Sequence, residues 1–120
     1  MKLYTHPRCS TCQKAVTLLN SLGISYEAVD LTKTPPTKRD VKAMLRYQDG
    51  KFNKLFNTSG MKYRELRLAE KLPAMSDEEK LALLCGDGML VKRPFLLAEE
   101  FGLLGFREPA WRSALTPAKR

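Results

Sequence analysis

The 120-residue sequence predicts an α/β fold in which a β-α-β unit and a β-β-α unit are separated by a block of short helices. Three observations carry this expectation. A β-forming run, Leu3-Tyr4-Thr5, leads at once into an amphipathic helix pattern and then into an alternating run ending at Asp30. Strand character returns only beyond residue 90, in Pro94-Phe95-Leu96-Leu97 and Leu103-Leu104-Gly105-Phe106. Between these two regions, helix start and stop signals recur without a strand pattern.

The first helix starts at Ser10, after His6-Pro7-Arg8, where Pro7 favours extended geometry for its predecessor. Ala15, Val16, Leu18, Leu19 and Leu22 fall on one buried face, and Gly23 suits a left-handed stop. Ile24, Tyr26 and Ala28 then alternate with polar residues as a second strand through Asp30. A connection of this length implies a right-handed crossover between parallel strands. Thr34-Pro35-Pro36 breaks the pattern.

Thr37-Lys38-Arg39-Asp40 reads as an N-cap with an acid at its fourth place, with Val41, Met44 and Leu45 as the apolar stripe and Asp49-Gly50 as the stop. Phe52 to Gly60 reads as irregular or briefly helical, and Tyr63 to Leu68 as a short helix. Ser76-Asp77-Glu78-Glu79 is a capping box before Leu81, Leu83 and Leu84, with Gly86 as the stop. Glu99 to Gly102 permits an antiparallel hairpin, and Pro109 opens a last helix through Trp111 to about Leu115. The tail, Thr116 to Arg120, reads as frayed. The order βαβ, helices, ββα is that of a thioredoxin-like sandwich with a helical insertion. It is read as one domain over 1–120, with the core in 1–34 and 91–115 and the insertion in 35–90.

Composition narrows the function classes. Twenty-one Lys and Arg against 13 Asp and Glu give a net charge of +8, which attracts anions in general. The basic residues are spread along the chain without interleaved aromatics, so no direct nucleic-acid platform is expected. No secretory leader or apolar run of membrane length is visible, so the expected location is cytoplasmic, without membrane contact. Three cysteines, with one close pair, suggest thiol chemistry or metal binding rather than a disulfide framework.

That pair, Cys9 and Cys12, lies at the junction of the first strand and first helix. A thiol at a helix N-terminus meets exposed N–H groups and the positive end of the macrodipole, which favour the nucleophilic thiolate. Cys12, one turn inside, is placed to resolve a sulfur-bound intermediate as a disulfide. A zinc half-site would have only His6 and Cys85 left as soft donors, and an unreactive structural pair is the third reading. Cys85 itself reads as a small buried hydrophobe, and Gly86-Asp87-Gly88 as a helix-terminating turn. His6 is placed either to hold the thiolate, by proton acceptance or positive charge, or to cap the first strand. Arg93 suits a planar oxyanion clamp, with a plain surface role as the alternative, and Arg93-Pro94 is a candidate cis bond.

The run Tyr4-Thr5-His6-Pro7-Arg8-Cys9-Ser10-Thr11-Cys12-Gln13-Lys14-Ala15, then Phe56-Asn57-Thr58-Ser59-Gly60, Lys92-Arg93-Pro94 and Gly105-Phe106, resembles the arsenate reductase ArsC/Spx family. The resemblance runs over nearly the whole chain and implies a thioredoxin-like fold with a helical insertion. It implies that Cys9 attacks arsenate, that Arg93 binds the oxyanion, and that glutathione with glutaredoxin completes the reduction. The family enzymes use two further arginines. Asn57 occupies the middle position, and the last falls at Arg107 or Phe106. His6, Asn57, Arg93 and Arg107 are therefore the expected oxyanion-binding set. The CxxC pair also matches Spx-type regulators, which carry it as a disulfide switch and bind the RNA polymerase α subunit. Asn57 to Gly60 and Gly88-Met89-Leu90 look more like an arsenate reductase-like branch.

The expectation is thus a thiol oxidoreductase with Cys9 as nucleophile, Cys12 as resolving thiol and a Cys9–Cys12 redox disulfide. Its substrate is arsenate or an oxidised thiol, its electron donor glutathione/glutaredoxin or thioredoxin, and it holds no bound cofactor or metal. The alternative is a redox-switched transcriptional regulator that binds the RNA polymerase α subunit.

Overall fold

The computed structural model describes residues 1–116; the predicted fraying of the tail beyond Thr116 falls outside them. Four strands form one sheet in the order β2-β1-β3-β4. β1 (Lys2–Thr5) runs parallel to β2 (Glu27–Asp30) and antiparallel to β3 (Phe95–Leu97), which pairs antiparallel with β4 (Gly102–Leu104). This is the mixed α/β architecture expected from the sequence.

Strand alternation sorts the core into two layers. Leu3 and Leu96 point to one face, where α1 (Ser10–Ser21) and α6 (Glu108–Leu115) bury Ala15, Leu18, Leu19, Trp111 and Leu115. Tyr4 and Phe95 point to the other, where α2 (Lys38–Tyr47), α3 (Met61–Glu65), α4 (Leu68–Lys71) and α5 (Asp77–Gly86) enclose a larger apolar cluster. Tyr4 and Phe95 meet edge to face with ring centres 5.2 Å apart. The central strands are thus buried on both sides, which is why they read as apolar runs rather than as simple alternation.

Three elements differ from the sequence reading. β2 begins at Glu27 rather than Ile24, because its partner begins at Lys2 and offers residues 24–26 no ladder. Ile24 and Tyr26 still pack on the α1/α6 layer, while Ala28 is exposed. The single helix expected over Tyr63 to Leu68 is split, because Arg67 adopts a left-handed conformation (φ 55°) and starts α4 afresh. β4 covers Gly102–Leu104, because Gly105 at φ 69° turns the chain out of the sheet before Phe106.

The helix caps follow the sequence closely. Thr37 Oγ1 accepts the Asp40 N–H at 3.1 Å, and Ser76 and Glu79 exchange the two bonds of a capping box. Asp40 has a further role that helix spacing alone does not reveal. Its carboxylate accepts from Tyr4 Oη at 2.6 Å and Lys2 Nζ at 2.9 Å, tying the central strand to the start of α2.

At the other end of the insertion, a one-turn 3-10 helix, Gly88–Leu90, follows α5. Gly88 is buried against the backbone of Leu31, and a Cβ there would collide with the Leu31 carbonyl. Gly88→Ala is expected to destabilise the fold by at least about 2 kcal/mol, because backbone must move to admit the methyl. Urea unfolding of the variant against the parent chain measures this, and an unchanged midpoint would show that this contact is not needed.

Candidate active site

β1 ends at Thr5, and four residues later Cys9 becomes the N-cap of α1. The intervening loop is closed by the Cys9 N–H donating to the His6 carbonyl at 3.2 Å and by the Arg8 N–H donating to His6 Nδ1 at 3.0 Å. Cys9 keeps extended backbone geometry, so its Sγ turns back over the helix end and accepts the Cys12 N–H at 3.3 Å. The thiol here does the work that Ser, Thr or Asp performs at an ordinary N-cap. The first turn of α1 contains no acidic residue to oppose a negative sulfur. Thr11 Oγ1 lies 3.0 Å from the same sulfur.

These contacts divide the two thiols. For Cys9, partial burial opposes ionisation. Hydrogen bonds from the Cys12 thiol, the Thr11 hydroxyl and the Cys12 N–H outweigh it, and the Arg93 charge adds to them, so the pKa falls below the ordinary thiol value. Cys12 is only 1% exposed. Its burial, then its hydrogen bond to Cys9 and the adjacent Cys9 charge, push its pKa up to about 11 against the opposing hydrogen bonds of Thr5 and the His6 backbone. Of the two thiols, Cys9 therefore ionises first and Cys12 keeps its proton. Both thiols are reduced in this structure.

Arg93 precedes Pro94 through a cis peptide bond at the entrance to β3. Its guanidinium donates to the Met89 carbonyl at 3.5 Å and is half-buried, and its charge acts on both Cys9 and His6. His6 is lowered below its usual pKa by burial and then by Arg93 and Arg8, against the opposing charge of Asp30. With Nδ1 accepting the Arg8 N–H, the ring is neutral at pH 7 and carries its proton on Nε2. Of its expected roles, a positive charge beside the thiolate is therefore not available at neutral pH, and shaping the loop is what the hydrogen bond records.

The structure brings Cys9, Cys12, His6 and Arg93 together. Asn57 and Arg107 make no hydrogen bond to Cys9 among the described residues. Asn57 is half-buried, and its N–H donates to the Leu90 carbonyl at 2.8 Å, beside an isolated bridge of Phe56 with Val91. Arg107 is the exposed N-cap residue of α6 and lines a separate hollow with Lys54 and Lys92. Cys85 is half-buried at the edge of the insertion core, and burial raises its thiol. Among the described residues, no group of three or more His, Cys, Asp or Glu side chains is arranged to hold a metal ion.

Sequence reasoning missed Thr11 and Met89. Thr11 carried a usable signal: a hydroxyl two residues after an N-cap lies in the first turn, within reach of the cap atom. The Met89 carbonyl carried none, because it meets Arg93 only through the turn after α5.

The ArsC family model matches residues 4–114. The chain belongs to the ArsC family. It is 44% identical over 108 residues to the uncharacterized protein YusI of Bacillus subtilis, covering 90% of this chain and 92% of that protein. An arsenate reductase of Rhizobium meliloti is 28% identical over 96 residues, covering 80% of this chain and 67% of the relative. A global transcriptional regulator Spx of Lactiplantibacillus plantarum is 25% identical over 113 residues, covering 94% and 84%. Among solved structures, an ArsC family related protein of Bacteroides fragilis superposes with a TM-score of 0.86 at 41% identity, covering 93% of this chain and 94% of the other. A Staphylococcus aureus COL protein solved by NMR gives 0.82 at 45% identity, covering 93% and 95%. The family thus includes both arsenate reductases and Spx regulators. Among the described residues, no helix is long and apolar enough to cross a membrane.

The division of charge predicts the order of alkylation. As pH rises, Cys9 is expected to react with iodoacetamide with a midpoint below the free-thiol value of about 8.5, because only the thiolate attacks. Cys12 is expected to remain protected until its pKa of about 11 is approached. In Cys9→Ser, Cys12 loses the neighbouring thiolate charge that raises it, so its midpoint shifts down. Mass spectrometry of the alkylated peptides reads all three, and equal midpoints for both thiols would refute the assignment.

Proposed function

We propose that this ArsC family chain is a thiol oxidoreductase that reduces arsenate, with Cys9 as nucleophile and Cys12 as resolving thiol. One observation carries the reading: the Cys9 sulfur caps α1 and is more acidic than an ordinary thiol, while its neighbour Cys12 holds its proton up to about 11.

The steps follow from that asymmetry. The Cys9 thiolate attacks arsenic, a S–As bond forms, and one arsenate oxygen leaves as water after protonation. Arg93 and the N–H groups at the start of α1 supply positive charge for the oxyanion. Once Cys9 is bonded to arsenic its negative charge is gone, and with it two of the influences that raise Cys12. Cys12 then loses its proton more readily and attacks Cys9 Sγ. The S–S bond forms, the S–As bond breaks, and its electron pair stays on arsenic, giving As(III) arsenite. Two electrons from glutathione with glutaredoxin, or from thioredoxin, return the disulfide to two thiols. An oxidised thiol is the other substrate that the same pair suits. In that case Cys9 attacks a disulfide sulfur and Cys12 releases the product by the same exchange.

The second reading is a redox-switched regulator that binds the RNA polymerase α subunit without turnover. Its support is the CxxC pair itself, poised to form a disulfide, together with the likeness to Spx over 94% of the chain.

A coupled arsenate reduction assay, run with glutathione and glutaredoxin and then with thioredoxin, tests the enzymatic reading. Turnover is expected to vanish in Cys9→Ser. Cys12→Ser is expected to lose thioredoxin-supported turnover while retaining turnover with glutathione, which can supply the second thiol. Arg93→Gln is expected to lower kcat/KM by roughly 10²-fold, the usual cost of one oxyanion donor, and to raise the Cys9 thiol midpoint. Turnover no greater than that of Cys9→Ser in every arm would end the arsenate reading. Retention on an immobilised RNA polymerase α C-terminal domain that differs between oxidising and reducing buffers would then favour the regulator.

A further inference from the structure

We propose that the hollow containing Arg107 is a second anion site, taking a small molecule with two or more carboxylate or phosphate groups. Its volume is about 370 Å³, enough for a small ligand. It lies between the 3-10 turn Phe52–Leu55, β4 and the start of α6. Cys9, Thr11, His6 and Arg93 are not part of its wall, so the proposal does not depend on what Cys9 reacts with.

Three cations face this space from three separate segments: Lys54 from the 3-10 turn, Lys92 from the approach to β3, and Arg107 from the N-cap of α6. No Asp or Glu lines it, and none of the three forms an ion pair among the described residues. Acidic partners are available elsewhere on the same surface. Lys2, Lys62, Arg67 and Arg112 each have one. Three like charges gathered around one concavity repel each other, and a bound polyanion converts that cost into attraction. The neutral donors Asn53 and Thr58 add hydrogen-bonding capacity, and buried Phe56 forms part of the wall.

The backbone holds two of the cations in place. The Lys92 N–H donates to the Leu55 carbonyl at 2.8 Å, joining the segments that carry Lys92 and Lys54. The Lys92 side chain lies across Gly105, where a Cβ would stand 3.1 Å from Lys92 Cε. Gly105 is held in turn by its N–H to the Pro94 carbonyl at 2.8 Å and by its carbonyl, which accepts the Trp111 indole N–H at 2.9 Å. The Arg107 guanidinium forms no ion pair among the described residues, so it is available for a ligand. Lys92 and Arg93 are consecutive, yet Arg93 turns to Met89 and acts on Cys9 while Lys92 crosses Gly105.

Isothermal titration calorimetry with citrate, and separately with inorganic pyrophosphate, tests the site in the full chain. Saturable one-to-one binding of at least one probe is expected, and the stronger of the two tells carboxylate from phosphate chemistry. Lys54→Gln and Lys92→Gln should each weaken binding about tenfold, the usual worth of one charge-assisted hydrogen bond. Lys14→Gln on α1 removes the same charge away from the hollow and should leave binding unchanged. Lys54 is exposed, so its variant decides the matter if Lys92→Gln does not fold. The Cys9 alkylation midpoint of Lys54→Gln should match the parent, which separates this site from the thiol chemistry. No saturable binding of either probe, or equal weakening by Lys14→Gln, would overturn the proposal.

Discussion

The double pairing of β1 is the constraint on which the other features depend. This four-residue strand is hydrogen-bonded to β2 on one side and β3 on the other, so both its faces must be covered. Leu3 requires the α1/α6 layer and Tyr4 requires the insertion layer. The hydroxyl of Tyr4 enters an apolar layer, and Asp40 meets it there at 2.6 Å, held also by Lys2. An unpaired phenol or carboxylate in that position would be costly, so the start of α2 is pinned to the strand. The carboxyl end of β1 then delivers the chain into the loop whose last residue caps α1.

The thiol pair sits on this rigid frame. A cap position demands an acceptor, and a sulfur is supplied where an oxygen is usual. Placing the second thiol one turn inside buries it, and burial raises it while the same helix end favours the first. Two identical side chains three residues apart thus acquire opposite tendencies from environment alone, as happens with paired carboxylates at other active sites. Arg93 comes from the far side of the insertion, so its charge reaches Cys9 only because β3 lies next to β1. The insertion lengthens the chain between the two halves of the site without separating them.

Much of the fold was legible in local chemistry. The Ser76/Glu79 box, the Thr37 cap and the buried face of α1, apart from Leu22, which is exposed, rest on residues within a few positions of each other, where spacing decides contact. Errors arose where a distant partner decided. Ile24 to Tyr26 alternate like a strand, but β1 has no residues left to pair with them. The site divided in the same way. The Cys9–Cys12 geometry follows from a single helix turn, whereas Asn57 and Arg107 were assigned by resemblance and are placed by loop paths that no local pattern encodes.

By itself, the sequence determined the α/β class, the thiol pair at a helix start and the basic balance of the chain, because these depend on composition and on spacing along one backbone. Only the tertiary structure decided how strongly burial holds the proton on Cys12, where Arg93 acts and that Lys54, Lys92 and Arg107 share a hollow. Burial and electrostatic interaction depend on separation in space, and for these residues separation in space is set by how β3 and α6 return to β1 and α1 rather than by their distance along the chain.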